Sequence, residues 1–278
     1  MAFSVKGVML SFFSHLDLVK SMITTSQNKQ VKRILKLKKS ARERRKEQLF
    51  LVEGIRMFEE IPADRLYKVY ATEEFQKAHQ EMFSKMEPEL VSPQVMKEIS
   101  DTMTPQGVLA LVKMKEFQME QLAEENALLL VLENLQDPGN LGTILRTGEG
   151  AGVTGIIMSR DTVDIYNPKV IRSTMGSIFR VPFVYADNME QVMEFLKKNQ
   201  ITAYAAHLDG TNYTKEDYRK SSAFFIGNEG NGLSDGLTRA ADRKIKIPMS
   251  GNVESLNAAM AAGLLMYEAR RQREEGGD

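Results

Sequence analysis

The chain has 278 residues, 42% of them hydrophobic, with Lys+Arg and Asp+Glu balanced at 37 each. That length suits two domains with real cores, and the overall charge names no partner. The lack of cysteine excludes disulfides, thiolate catalysis and thiolate metal ligands, and the three histidines (His15, His79, His207) are too far apart for a metal-ligand spacing, so no metal is expected.

Residues 1–21 hold a short apolar stretch, Val8-Met9-Leu10-Ser11-Phe12-Phe13. Asp17 and Lys20 follow it, where a signal peptide would place a small-residue cleavage site. With Met22 as a more ordinary start, 1–21 reads as an N-terminal extension without an assigned role. No apolar run approaches the ~20 residues of a membrane helix, and a cytoplasmic location is expected.

Residues 29–46, KQVKRILKLKKSARERRK, carry ten Lys or Arg against one acid, Glu43. Val31, Ile34, Leu35 and Leu37 sit at helical spacings, which predicts a basic helix running into a charged turn. Its cations are either a solvated face or phosphate contacts, since neutralising phosphates releases counterions. The second reading selects Lys36, Lys38, Lys39, Arg42, Arg44 and Arg45 as nucleic-acid ligands. Strands are expected at 50–52, 66–71 and 107–112, with helices at 55–61, 72–84 and 93–98. Residues 22–113 then form a compact α/β domain. The polar stretch 114–126 reads as a linker, helical or not.

From 127 onward strands and helices alternate. Leu128-Leu129-Leu130-Val131-Leu132 is a continuous apolar run, the signature of a buried parallel strand. Further strands are expected at 155–158, 178–184, 202–206, 223–226 and 244–247, and helices near 141–151, 189–198 and 255–271. This predicts a mainly parallel sheet covered on both faces.

Ligands of such sheets bind at the carboxyl ends of the strands, so the loops there carry the chemistry. The first is Glu133-Asn134-Leu135-Gln136-Asp137-Pro138-Gly139-Asn140-Leu141-Gly142, entering a helix with Arg146. Asn140 can cap that helix, and Arg146 follows within two turns. Spacing alone also fits a capped helix with a surface arginine. The second is Gly227-Asn228-Glu229-Gly230-Asn231-Gly232-Leu233. Its glycines let a backbone approach a ligand, but it is no P-loop, because no Gly-Lys-Ser/Thr follows. Glu229 would repel a phosphate and better suits an amine, a hydroxyl or a positioned arginine. The third runs from Ile247-Pro248-Met249 through Glu254-Ser255-Leu256-Asn257 into a small-residue helix. Ser255 and Asn257 are expected in its first turn, with Ser255 either a cap or a functional side chain.

In this order the loops resemble the three motifs of the SpoU (TrmH-like) branch of the SPOUT RNA methyltransferases. Asn140-x-Gly142-x-x-x-Arg146 is similar to the first, Gly227-Asn228-Glu229-Gly230-x-Gly232-Leu233 to the second, and Ile247-Pro248-Met249 with Glu254-Ser255-Leu256-Asn257 to the third. Phe50-Leu51-Val52-Glu53-Gly54 and Pro105-Gln106-Gly107-Val108 resemble the two ends of the family's substrate-binding domain, a small ribosomal-protein-like α/β fold. Only 1–21 falls outside the resemblance. It implies an α/β trefoil-knot domain over 127–278, after an RNA-binding domain over 22–113 and the linker 114–126. It implies S-adenosylmethionine as methyl donor, with Gly227, Gly230, Ile247, Met249 and Leu256 at its site, and a homodimer with the active site near the interface. Asn140 and Arg146 would contact RNA and the reacting ribose, Glu229 would hold the arrangement together, and Ser255 and Asn257 would orient substrate or Arg146. Arg146 is also the candidate proton acceptor, although an arginine ordinarily stays protonated.

The implied reaction is metal-free 2′-O-methylation of a ribose in structured RNA. Ribosomal RNA is favoured over tRNA by analogy with members that carry a separate N-terminal domain. The alternatives are a tRNA ribose methyltransferase and a non-catalytic RNA-binding or ribosome-assembly protein on the same fold. The intact third loop argues against the latter. The Asn140/Arg146 pair argues against a base methyltransferase of a related knotted branch.

Overall fold

A computed structural model describes residues 22–84, 86–252 and 255–276. The extension 1–21 and Glu254 of the third loop lie outside the described residues. The chain opens with α1 (Lys29–Lys39), which buries Val31, Ile34 and Leu37, and α2 (Ala41–Glu47). Ser40 separates them. Its N–H bonds the Lys36 carbonyl to close α1, and its hydroxyl accepts the Glu43 N–H to start α2. The single basic helix and turn expected over 29–46 are therefore two helices.

The unit continues with β1 (Leu49–Glu53), α3 (Ile55–Glu59), β2 (Leu66–Ala71), α4 (Glu73–Ala78), β3 (Glu89–Leu90), α5 (Pro93–Ile99) and β4 (Val108–Lys113). Its sheet runs β1-β4-β2-β3, with β4 antiparallel to β1 and β2. Strand alternation sends Leu49, Leu51, Leu109 and Leu111 to the face covered by α1 and α5. Phe50, Val52, Ala110 and Val112 point the other way and join the main core of the second unit. The connection is docked rather than solvent-spanning: its one turn, Met119–Leu122, buries Leu122 completely.

The second unit comprises β5 (Leu128–Leu132), α6 (Pro138–Ala151), β6 (Gly155–Ser159), α7 (Pro168–Thr174), β7 (Phe183–Ala186), α8 (Met189–Lys198), β8 (Thr202–Asn212), β9 (Ser222–Ile226), α9 (Asp235–Ala240), β10 (Arg243–Lys246) and α10 (Ala258–Glu275). All six strands are parallel, in the order β10-β8-β9-β5-β6-β7, as the apolar runs predict. The helices α7 and α9 fall outside the expected elements, since seven and six residues are too short for periodicity to register. The strand expected from 178 begins only at Phe183, because Ser177–Phe179 forms a 3-10 turn behind Met175 and Gly176, both at positive φ.

Two helix starts differ from expectation and matter for the site. Asp137 caps α6 through the Asn140 N–H at 2.7 Å, which releases the Asn140 side chain for another partner. Asn257 caps α10, so Ser255 lies ahead of that helix rather than in its first turn. No described helix is long and apolar enough to cross a membrane.

Candidate active site

Leu132 of β5 pairs in register with Ile226 of β9, so the first and second loops leave the sheet side by side. Glu229 fastens them together. Its Oε1 accepts the Asp137 N–H and the Asn140 side-chain amide, both at 3.0 Å, and its Oε2 accepts the Gln136 N–H at 3.1 Å. The Asn140 Oδ1 accepts the Asn257 side-chain amide at 2.8 Å, and the Asn257 Oδ1 takes the Ala259 N–H at the start of α10. One residue from each of the three loops thus enters a single network. Burial opposes charge on Glu229, but the bonds from Asn140, Asp137 and Gln136 outweigh it and hold the carboxyl below the usual carboxylate range. Glu229 therefore acts as a fixed acceptor.

The second loop closes on itself. Asn228 and Gly232 exchange backbone hydrogen bonds at 3.0 and 2.9 Å, and the Asn228 Oδ1 accepts the Gly230 N–H at 2.9 Å. A Cβ at Gly227 would overlap the Gly232 carbonyl and the Leu233 nitrogen, so only glycine fits there. A Cβ at Gly230 would meet only the Asn228 Oδ1, at 3.5 Å. In the third loop Ile247 packs against the main core and Met249 is half-buried, while Leu256 stays 37% exposed. Among the described residues the backbone of 248–252 makes no hydrogen bond. Its peptide groups and those of the Gly-rich loop suit a ligand held by main chain.

The structure does not draw every expected residue into this network. Arg146 is exposed on α6 and its side chain makes no hydrogen bond or ion pair among the described residues, and the same holds for the Ser255 side chain. Other residues matter more than the loop pattern revealed. Buried Glu133 accepts both the N–H and the hydroxyl of Ser234 at 2.7 Å, anchoring the far end of the Gly-rich loop to β5. The Asn228 amide bonds the Asn134 carbonyl at 2.8 Å. The Ser234–Glu133 contact spans 101 residues, so no local signal reports it.

Of the six cations expected to face phosphate, Lys36, Lys39, Arg42 and Arg45 are exposed. Arg44 is not. It is 3% exposed and bound to Asp164 and to the Leu37 and Lys38 carbonyls, because helical spacing turns that one position of α2 inward. Lys38 is half-buried and donates to the Ser100 carbonyl. No group of three or more metal-ligating side chains occurs among the described residues. The helices α6 and α10 pack together, with Gly263 beside Thr147, and α10 leaves Met260, Leu264 and Tyr267 exposed along one row.

Comparison with known proteins matches residues 127–267 to the SpoU rRNA Methylase family and residues 28–110 to the MRM3-like substrate binding domain. The chain is 32% identical over 250 residues to the 23S rRNA (guanosine(2553)-2'-O)-methyltransferase RlmP of Bacillus subtilis, covering 89% of this chain and 98% of that one. Among solved structures, the AdoMet-bound rRNA methyltransferase of Sinorhizobium meliloti has a TM-score of 0.80 at 30% identity, over 90% of this chain and 97% of its own. The SpoU methyltransferase AviRb of Streptomyces viridochromogenes, in complex with AdoMet, has a TM-score of 0.81 at 27% identity, over 89% of this chain and 98% of its own.

Proposed function

The chain belongs to the SpoU rRNA methylase family, and on that premise we propose that it methylates a ribose 2′-hydroxyl in ribosomal RNA from S-adenosylmethionine, in the cytoplasm. The observation that carries this reading is the Glu229–Asn140–Asn257 network, which joins all three loops beyond the carboxyl ends of the strands. S-adenosylmethionine, when bound, supplies an activated methyl group on a sulfonium. The unpartnered backbone of 248–252 and the self-closed loop at Gly227 fit such a ligand, with Ile247, Met249 and Leu256 beside them. Gly230 is exposed, and a Cβ there would meet only the Asn228 Oδ1, so Gly230→Val should fold normally yet weaken donor affinity, read by calorimetry without added metal. Native affinity in that variant would move the donor site away from this loop.

In this reading the network does not move protons. It fixes the start of α6 through Asn140, and the exposed Arg146 of the same helix can then meet the RNA. The Arg146 guanidinium has donors enough to hold a phosphate and the 2′-oxygen together, which aligns the hydroxyl for attack. Ser255 is assigned to the substrate side, exposed ahead of α10. A homodimer is supported by the apolar row Met260, Leu264 and Tyr267, which would carry a partner to the α6–α10 surface next to Arg146. A knotted path is supported by α10, the last element, which packs on α6 and β9 rather than outside the edge strand β10.

The test is labelling of ribosomal RNA from cells lacking the gene. Label should appear in alkali-resistant dinucleotides, as a 2′-O-methyl blocks hydrolysis, and label confined to bases would exclude the reading. The guanosine of 23S rRNA methylated by the Bacillus subtilis relative is the first position to map. Preferential labelling of tRNA would replace the substrate class.

We assign RNA grip to the N-terminal unit over 22–113, through Lys36, Lys39, Arg42 and Arg45. Replacing these four by Gln should weaken RNA binding and flatten its salt dependence by roughly three to four in log–log slope, about 0.9 for each phosphate that is no longer neutralised. Donor affinity should not change. An unaltered slope would return these cations to a solvated face.

A further inference from the structure

The helix α2 has two faces. Arg42 and Arg45 point outward, while Arg44 points into the junction with the second unit. The Arg44 Nε donates to the Asp164 Oδ2 at 3.0 Å, a second donor reaches the same oxygen, and a third holds the Leu37 carbonyl at 2.6 Å. Asp164 lies in the segment 160–167 between β6 and α7, and that segment is gripped by the first active-site loop. The Val163 N–H donates to the Leu135 carbonyl at 2.8 Å, and the Gln136 side-chain amide donates to the Asp161 carbonyl. Tyr185 braces the segment from β7, accepting from the Ile165 N–H at 2.9 Å and donating to the Val163 carbonyl at 2.8 Å. Gln136 and Asp137 are the residues whose N–H groups hold Glu229. The path from α2 to the active-site carboxylate is thus Arg44 to Asp164, Val163 to Leu135, and Gln136 to Glu229, each step a hydrogen bond or a chain neighbour. Phe50 packed ring to ring on Tyr166, centroids 4.6 Å apart, and Arg172 paired with Asp101 at 2.5 Å hold the same junction.

We propose that Asp164 and Arg44 are positioning residues that couple the seat of the basic α1–α2 face to the active-site loop, and so set which ribose reaches Asn140 and Arg146. This rests on the ribose-methyltransferase reading above. RNA held by the outer face of α2 is placed relative to Glu229 through the inner face of the same helix. The decisive observable is where the methyl group lands.

The experiment compares wild type, Asp164→Leu and the paired Arg44→Met/Asp164→Leu, using ribosomal RNA from cells lacking the gene and labelled S-adenosylmethionine. It reads kcat, KM for RNA, donor affinity by calorimetry, thermal melting and the map of methylated nucleotides. Asp164→Leu removes the one oxygen that both Arg44 donors share, so it should lower kcat about a hundredfold, as expected of a reacting group misplaced by an ångström, and spread methylation to neighbouring riboses, with donor affinity unchanged. The paired variant replaces the ion pair by a buried apolar contact and leaves no orphan charge, so it should regain most of the turnover and the native position. Native turnover and position in Asp164→Leu would overturn the proposal. So would a paired variant that melts cooperatively yet stays as impaired as the single one, since charge rather than docking would then matter. Should Asp164→Leu fail to fold, Asp164→Glu keeps the charge but lengthens the pair by one methylene. Displaced or slowed methylation in that variant supports the proposal, and native behaviour overturns it. Wild-type protein that binds donor but labels no RNA would remove the methyltransferase reading itself, a result visible before any variant is made.

Discussion

Arg146→Ala should lower methyl transfer by roughly three orders of magnitude, the scale of losing a group that acts on the reacting proton or oxygen. Fold and donor affinity should stay native, because the side chain is exposed and makes no hydrogen bond or ion pair among the described residues. Truncating it therefore removes no interaction inside the described chain. Its helix follows β5, whereas the loops assigned to the donor follow β9 and β10, so the two tasks are separable. Arg146→Lys should fail nearly as badly, since a lysine keeps the charge but loses the planar fork that can grip phosphate and hydroxyl together. Single-turnover kinetics with saturating donor would check both variants. A lysine variant with most of the native rate would mean that charge alone suffices. Loss of donor binding in the alanine variant would make Arg146 structural and shift the reaction to Asn140, Ser255 and Asn257.

Glu229→Gln should cost about a hundredfold in turnover, on the scale of removing one preorganised hydrogen bond around a reacting group. A carboxamide presents an NH2 group to a site built from three donors: the Gln136 and Asp137 N–H groups and the Asn140 amide. With its oxygen in the Oε1 place the carboxamide keeps Asp137 and Asn140 but turns its NH2 against the Gln136 N–H, and the reverse placement loses both Asp137 and Asn140, so either way the first loop is no longer held by all three bonds. Asn140→Ala and Glu229→Gln break the same network, so the double variant should lose little more than either single one. Additive losses would show that the residues act separately. The sign of the pH effect follows from the depressed carboxyl of Glu229. Its contribution is fully present above the ordinary carboxylate pKa and disappears only as pH falls through the lower folded value. Turnover should therefore be insensitive to this group from neutral to mildly acid pH. An acid limb near neutrality that vanishes in Glu229→Gln would contradict the assignment.

Much of the fold was legible because it rests on local patterns. The run Leu128–Leu132 has no polar face to turn to water, so it had to become a strand buried on both sides, and all five of its residues are buried. The site was legible as three loops at strand ends, but not as a network. Sequence proposed Asn140 as a helix cap, and Asp137 takes that place, which leaves the Asn140 amide for Glu229. Arg44 looked like its neighbours Arg42 and Arg45 in a run of charge, yet helical geometry turns it to Asp164, 120 residues away.

What the sequence alone determined was whatever a residue's near neighbours decide: the basic helical segment, the parallel sheet, the loops that carry chemistry, and the family to which the motifs point. What only the tertiary structure decided was partnership across long separations. Asn140 meets Glu229 over 89 residues and Asn257 over 117. Such pairs form because β5 and β9 align in the sheet and α10 returns to α6. No local propensity encodes which distant loop a strand's neighbour will carry, because side-chain spacing reports the face of an element and not the element packed against it.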